Sequence, residues 1–182
     1  MKQVISFNDR LKAIAEQVIQ VDFNMLEISK LLITQVSANG GKIVLVGNGA
    51  SAAIASHVAV DLTKASGVRA INFNEVDLIT CFANDYGYEH WVEKALEFYA
   101  DPKDLVILIS SSGMSLNVVN AALKAKKMGL SVITLSGFRE DNSLKKLGDI
   151  NFWVDSSQYN IVETVHQAWL LAVVDQIASE KI

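Results

Sequence analysis

The sequence has one cysteine, one proline, three histidines and no surplus of positive charge. A lone Cys81 excludes an intramolecular disulfide and every multi-cysteine zinc motif. With His57, His90 and His166 as the only histidines, any metal site has to lean on carboxylates or amides. One proline and ten glycines in 182 residues argue against a disordered or low-complexity tether. A net charge of −4 and a pI near 5.3 give no basic face for a phosphate backbone, which excludes nucleic acid as the main partner. The longest apolar run, Ala168 to Val174, is far short of the ~18 residues of a membrane span. The opening residues, Met1 to Ser6, hold no apolar signal core, and the expected location is the cytoplasm.

What remains is an ordinary globular composition, 51% hydrophobic and 20% charged. The length predicts a single domain over residues 1–182, with N-terminal helices over 1–39 and an α/β core over 40–182. A mean hydropathy of +0.26 is high for a monomer of this size and predicts that some apolar surface is covered by a second protomer.

From Ile5 to about Ser37, apolar residues recur at three- and four-residue steps (Leu11, Ile14, Val18, Val21, Met25, Ile28, Leu32). That spacing predicts one long helix or two, ended by Asn39-Gly40-Gly41. Short aliphatic runs then alternate with helical stretches. Strands are expected at Ile43–Val46, Val68–Phe73, Leu105–Ile109, Ser131–Leu135 and Ile150–Val154. Helices are expected at Ala50–Ala65, Val76–Ala83, Tyr88–Tyr99, Ser115–Met128 and Tyr159–Ala178. Continuous aliphatic strands between helices indicate a parallel sheet covered on both faces.

In such a sheet, ligands sit beyond the carboxyl ends of the strands, near helix N-termini. Two loops lie there. Gly47-Asn48-Gly49-Ala50-Ser51-Ala52 satisfies the Gly-x-Gly-x-x-Gly/Ala pattern of dinucleotide sites. The acidic partner of that pattern is missing about 20 residues on, where Asn72-Phe73-Asn74 stands. The other account of the glycines is a tight strand-to-helix turn that needs them only for its backbone. The second loop, Ser110-Ser111-Ser112-Gly113-Met114-Ser115, holds four serines in six residues, more than helix capping requires. Hydroxyls and free backbone N–H groups at a helix N-terminus suit a phosphate dianion. No Gly-x-x-x-x-Gly-Lys-Ser/Thr occurs, and no nucleotide cofactor is expected.

Three stretches together resemble the sugar isomerase (SIS) domain. They are Gly47 to Ala53 with His57 and Asp61, Ala83-Asn84-Asp85-Tyr86-Gly87, and Ile109 to Asn117. Within that family they are most similar to phosphoheptose isomerases, which interconvert sedoheptulose 7-phosphate and a heptose 7-phosphate aldose. The resemblance implies a flavodoxin-like, doubly wound five-stranded parallel sheet, a homotetramer and active sites shared between protomers. It implies that Ser110, Ser111, Ser112 and Ser115 hold the sugar phosphate, that Asn48, Gly49 and Ser51 line the same pocket, and that Asn84 and Asp85 meet the sugar hydroxyls. His57 falls where the family has a zinc-binding histidine, and Asp61 where it has a glutamate that binds metal and handles protons. Their i, i+4 spacing puts both on one helix face, which suits a divalent metal or a buried polar pair.

Two positions depart from the family. Where it has glutamine and, eight residues later, histidine, this chain has Glu163 and Leu171. Glutamate can ligate as an anion or abstract a proton; leucine does neither. His166 is expected to be structural, and His90 to lie at the surface or an interface. The expectation is therefore a phosphosugar aldose–ketose isomerase with Asp61 and Glu163 as its proton-handling pair. His57, Asp61 and Glu163 are the candidate ligands of a zinc ion. The alternative, motivated by Leu171, is a non-catalytic phosphosugar-binding protein.

Overall fold

In the computed structural model, which describes residues 6–180, the aliphatic runs become strands. They are β1 (Ile43–Gly47), β2 (Ala70–Asn72), β3 (Leu105–Ser110), β4 (Ser131–Ser136) and β5 (Ile150–Trp153). Ile5, where the first expected helix begins, lies outside the described residues, as does most of the opening segment. All pairings are parallel, in the order β2-β1-β3-β4-β5. This is the flavodoxin-like order, with its reversal of direction between β1 and β3.

β1 and β3 are buried at every position. Ile43, Leu45, Leu105, Ile107 and Ile109 face one apolar cluster, and Val44, Val46, Val106 and Leu108 face another. Side chains alternate across a strand, so a strand apolar on both faces needs helices on both. The first face is covered by α1 (Phe7–Ile19), α2 (Phe23–Ala38), α3 (Ala50–Lys64) and the closing helix α7 (Tyr159–Ser179). The second is covered by α4 (Val76–Tyr86), α5 (Trp91–Tyr99) and α6 (Leu116–Lys127).

The N-terminal periodicity resolves into two helices. Asp22 caps the second, its side chain accepting from the Asn24 amide at 2.9 Å. β2 is shorter than expected: Val68 and Phe73 are buried, yet only Ala70–Asn72 pair with β1. No residue of α1 is buried, and Phe7, Leu11 and Ile19 are exposed.

His166 sits in the core of α7, where its Nε2–H donates to the Ser136 carbonyl at 3.0 Å. This is the structural role expected of it. Burial pushes its pKa down from 6.5 to about 4, because the interior disfavours the imidazolium. The unfolded chain therefore takes up a proton at this ring near pH 6.5, and the folded chain only near pH 4. Its contribution to stability is present above pH 6.5, falls as the pH drops through that window and is gone below about 4. The span corresponds to an amount on the order of 3 kcal/mol. Urea unfolding across this range is expected to show a steeper acid loss for the wild type than for His166→Gln; parallel curves would refute it.

Candidate active site

β1 and β3 are neighbours, and Gly47, the last residue of β1, shares a rung with Ile109, the next-to-last of β3. The loops that leave them, at Asn48 and Ser111, therefore start side by side at the switch point, where open α/β sheets place ligands. Gly47 is required by close approach: a Cβ there would lie 2.6 Å from the backbone of Ser51. α3 thus begins hard against the strand end, with Gly49 (φ +55°) as its N-cap. Ser115 is the N-cap of α6, and the N-termini of α3 and α6 flank one pocket.

That pocket, of about 130 Å³, is lined by Asn48, Ser51, Ile109, Ser110, Ser111, Ser112, Ser115, Tyr159 and Glu163. It unites most of the phosphate-binding residues read from the sequence. The Ser110 hydroxyl donates to that of Ser115 at 3.2 Å, and the Ser112 hydroxyl accepts from the Met114 amide at 3.2 Å. Across the pocket, the Ser111 hydroxyl donates to Glu163 Oε1 at 3.2 Å. No Lys or Arg lines the cavity. An anion there is met by hydroxyls and by the positive ends of two helices.

Asn48 is held in place by its neighbours. It exchanges amide hydrogen bonds with buried Asn117, both at 2.9 Å, and its side-chain carbonyl also accepts from Tyr88 Oη at 3.2 Å. Tyr159 is backed by Phe138, whose ring centroid is 4.8 Å away.

Beside the pocket, α3 and α7 face each other. His57 Nε2 lies 3.1 Å from Asp61 Oδ2, and His57 Nδ1 lies 3.1 Å from the amide nitrogen of Gln167. Gln167 follows Glu163 by one helical turn, so α7 serves both the pocket and the His57–Asp61 pair. This pair is not a buried one: the two side chains are 48% and 36% exposed.

Other expected residues lie elsewhere. Asn84 and Asp85 are exposed on the last turn of α4, hydrogen-bonded to each other at 3.0 Å, and are not among the residues lining the pocket. From the turn that follows, Tyr88 is what reaches Asn48. Gly49 contributes its backbone as a cap and is not a lining residue. Leu171 is half-buried against the apolar cluster under α7. His90 is paired with Glu93 at 3.0 Å near the surface.

The donor set does not fit a resident zinc ion within one chain. Catalytic zinc takes three protein ligands and a water. Among the described residues no three His, Cys, Asp or Glu side chains converge. Both ring nitrogens of His57 are already engaged, and Glu163 faces Ser111.

Tyr159, Asn117, Tyr88 and Gln167 were not read from the sequence as site residues. Asn117 lay within a recognised stretch, but the other three carry no local signal, since each acts across a long loop in the chain.

The SIS domain profile matches residues 6–137. The chain belongs to the SIS domain family. A phosphoheptose isomerase from Syntrophotalea carbinolica is 32% identical to it, over 96% of this chain and 92% of the relative. A phosphoheptose isomerase from Helicobacter pylori strain P12 is 33% identical, over 91% and 86%. Among solved structures, the phosphoheptose isomerase GmhA from Neisseria gonorrhoeae matches with a TM-score of 0.86 at 27% identity, covering 95% of each chain. The matched part of the SIS domain includes both loops and ends at Gly137. The α7 face bearing Glu163, Gln167 and Leu171 lies beyond it.

Proposed function

We propose that this SIS-domain protein is a sugar-phosphate isomerase that interconverts sedoheptulose 7-phosphate and the corresponding heptose 7-phosphate aldose. One observation carries the reading: a serine-lined phosphate cradle and the carboxylate of Glu163 share a single pocket. The anchored phosphate brings the rest of the sugar to a group able to move protons.

Ser110, Ser111, Ser112 and Ser115 donate to the phosphate oxygens, supported by the N-termini of α3 and α6. The Glu163 carboxylate takes the proton from the carbon next to the carbonyl, leaving an enediolate, and returns it to the neighbouring carbon. The matching proton passes between the two sugar oxygens through the Asp61 carboxylate, which the His57 N–H holds in place. No step passes through a metal.

Incubating the purified protein with sedoheptulose 7-phosphate and following aldose formation tests this directly. The expected result is conversion in both directions to the same equilibrium mixture. A second reading, phosphosugar binding without turnover, is favoured by Leu171, an aliphatic side chain half-buried against the core where the family places a catalytic histidine. Saturable binding with no aldose formed would select it.

We also propose a homotetramer acting in the cytoplasm, where a single exposed cysteine, Cys81, stays reduced. The apolar side chains left exposed on the first two helices, among them Phe7, Leu11, Ile19, Phe23 and Leu31, support self-association. So does the pocket: at about 130 Å³ it is below the ~300–1,000 Å³ that encloses a small-molecule ligand, leaving wall for a neighbouring protomer to supply. Sedimentation at micromolar concentration is expected to give four chains; a monomer would overturn the proposal.

A further inference from the structure

We infer that Gln167 is a positioning residue: its side-chain amide donates to Nδ1 of His57 and fixes this histidine as the Nε2–H tautomer, its proton aimed at Asp61. The two contacts define the ring completely. A carboxylate only accepts, so the Nε2 that lies 3.1 Å from Asp61 Oδ2 carries the hydrogen. In a neutral imidazole the other nitrogen is then a bare lone pair. That lone pair needs a donor, and the atom 3.1 Å from Nδ1 is the amide nitrogen of Gln167. The reversed amide would set its carbonyl oxygen against the lone pair.

The position of Gln167 gives the contact a function. It is half-buried where α7 packs on α3, one turn after Glu163, whose carboxylate accepts from Ser111 in the phosphate pocket. One face of α7 therefore aligns the pocket and the His57–Asp61 pair together. An imidazole free to exchange tautomers would present its N–H to Asp61 only part of the time. With both ring nitrogens engaged, His57 also has no lone pair to offer a metal unless one bond breaks. The effect on turnover rests on the isomerase reading above; the tautomer does not.

Long-range ¹H–¹⁵N spectra of the full-length protein, at about pH 8 where an imidazole is ordinarily neutral, decide the tautomer. The wild type is expected to show His57 protonated at Nε2 alone. Gln167→Leu, which removes the donor, is expected to give mixed tautomers and to lower kcat by roughly 10-fold or more with KM little changed. The near-isosteric Gln167→Glu replaces the donor by an acceptor, so that both ring nitrogens face carboxylates and Nδ1 as well as Nε2 is expected to carry hydrogen, at a similar cost in kcat. It also serves if the leucine variant fails to fold. A wild-type ring protonated at Nδ1 or at both nitrogens would overturn the assignment, as would an unchanged tautomer in both variants. So would one equivalent of zinc that displaces the His57 signals. If the wild type turns over no sugar phosphate, the isomerase reading fails, and the spectra alone still decide the role of Gln167.

Discussion

Replacing Glu163 by glutamine is expected to lower kcat by roughly 10²–10⁴-fold while leaving substrate binding intact or tighter. The substitution is nearly isosteric, and the amide oxygen can still accept from the Ser111 hydroxyl, a bond of 3.2 Å in the native pocket. What it removes is the proton acceptor and a negative charge. No Lys or Arg lines this cavity, so losing that charge eases the approach of a phosphate dianion. KM is therefore expected to hold or fall as kcat collapses, a split that misfolding would not produce. Asp61→Asn is expected to cost turnover on the same scale with phosphate binding unchanged, since Asp61 lies outside the cavity. Aldose formation measured over a substrate series checks both variants, and a less than threefold change in kcat for Glu163→Gln would rule out its assignment as the base.

The second large effect belongs to the loop. Gly113→Ala is expected to destabilise the fold by about 3–5 kcal/mol and to abolish phosphate binding in whatever remains folded. Gly113 has φ +64°, a left-handed conformation that costs a side-chain-bearing residue about 1–2 kcal/mol. A Cβ built there would lie 2.0 Å from Oδ1 of Asn142, so this side chain has to move. Asn142 is 1% exposed and its amide donates to Ser136 Oγ at 3.1 Å and to the Arg139 carbonyl at 2.8 Å, while its oxygen accepts from the Lys145 amide at 2.9 Å. Leaving such buried partners unsatisfied costs about 1–3 kcal/mol each. Thermal unfolding is expected to shift by roughly 10 °C for a chain of this length. A shift within 2–3 °C, about 1 kcal/mol, would contradict the account.

The sheet was legible because of how it is covered. Ile43–Val46 and Leu105–Ile109 read as unbroken aliphatic runs only because helices lie on both sides of them. The serine-rich loop was legible because its chemistry is local. Less could be read where contacts are distant. The apolar stripe continues from Val18 through Val21 to Met25, across the break between α1 and α2, because both helices pack on the same cluster; Asp22 was the sole local sign of a second start. The short 3-10 turn at Leu144–Lys146, which supports the Gly113 loop through the Leu144 amide and Gly113 carbonyl, has no periodicity to display. Gln167 falls in a helix whose mean character is apolar, and its partner is 110 residues away in sequence. Asn84 and Asp85, which the family resemblance implies at the sugar hydroxyls, lie exposed on α4 outside the pocket of the single chain.

The shared rung of Gly47 and Ile109 has a consequence for how this scaffold can be altered. The two loops are held apart by one inter-strand spacing, about 4.8 Å, which main-chain ladder bonds set without reference to any side chain. The spacing of the two anion-holding loops is thus a property of the backbone, and the serine hydroxyls work from positions it sets. Proton transfer, on the proposed reading, depends instead on side chains of neighbouring helices: Glu163 of α7, and the His57–Asp61 pair of α3 that Gln167 of α7 meets. A library at positions 163 and 167 would vary the chemistry while the spacing of the two loops stays as the ladder sets it.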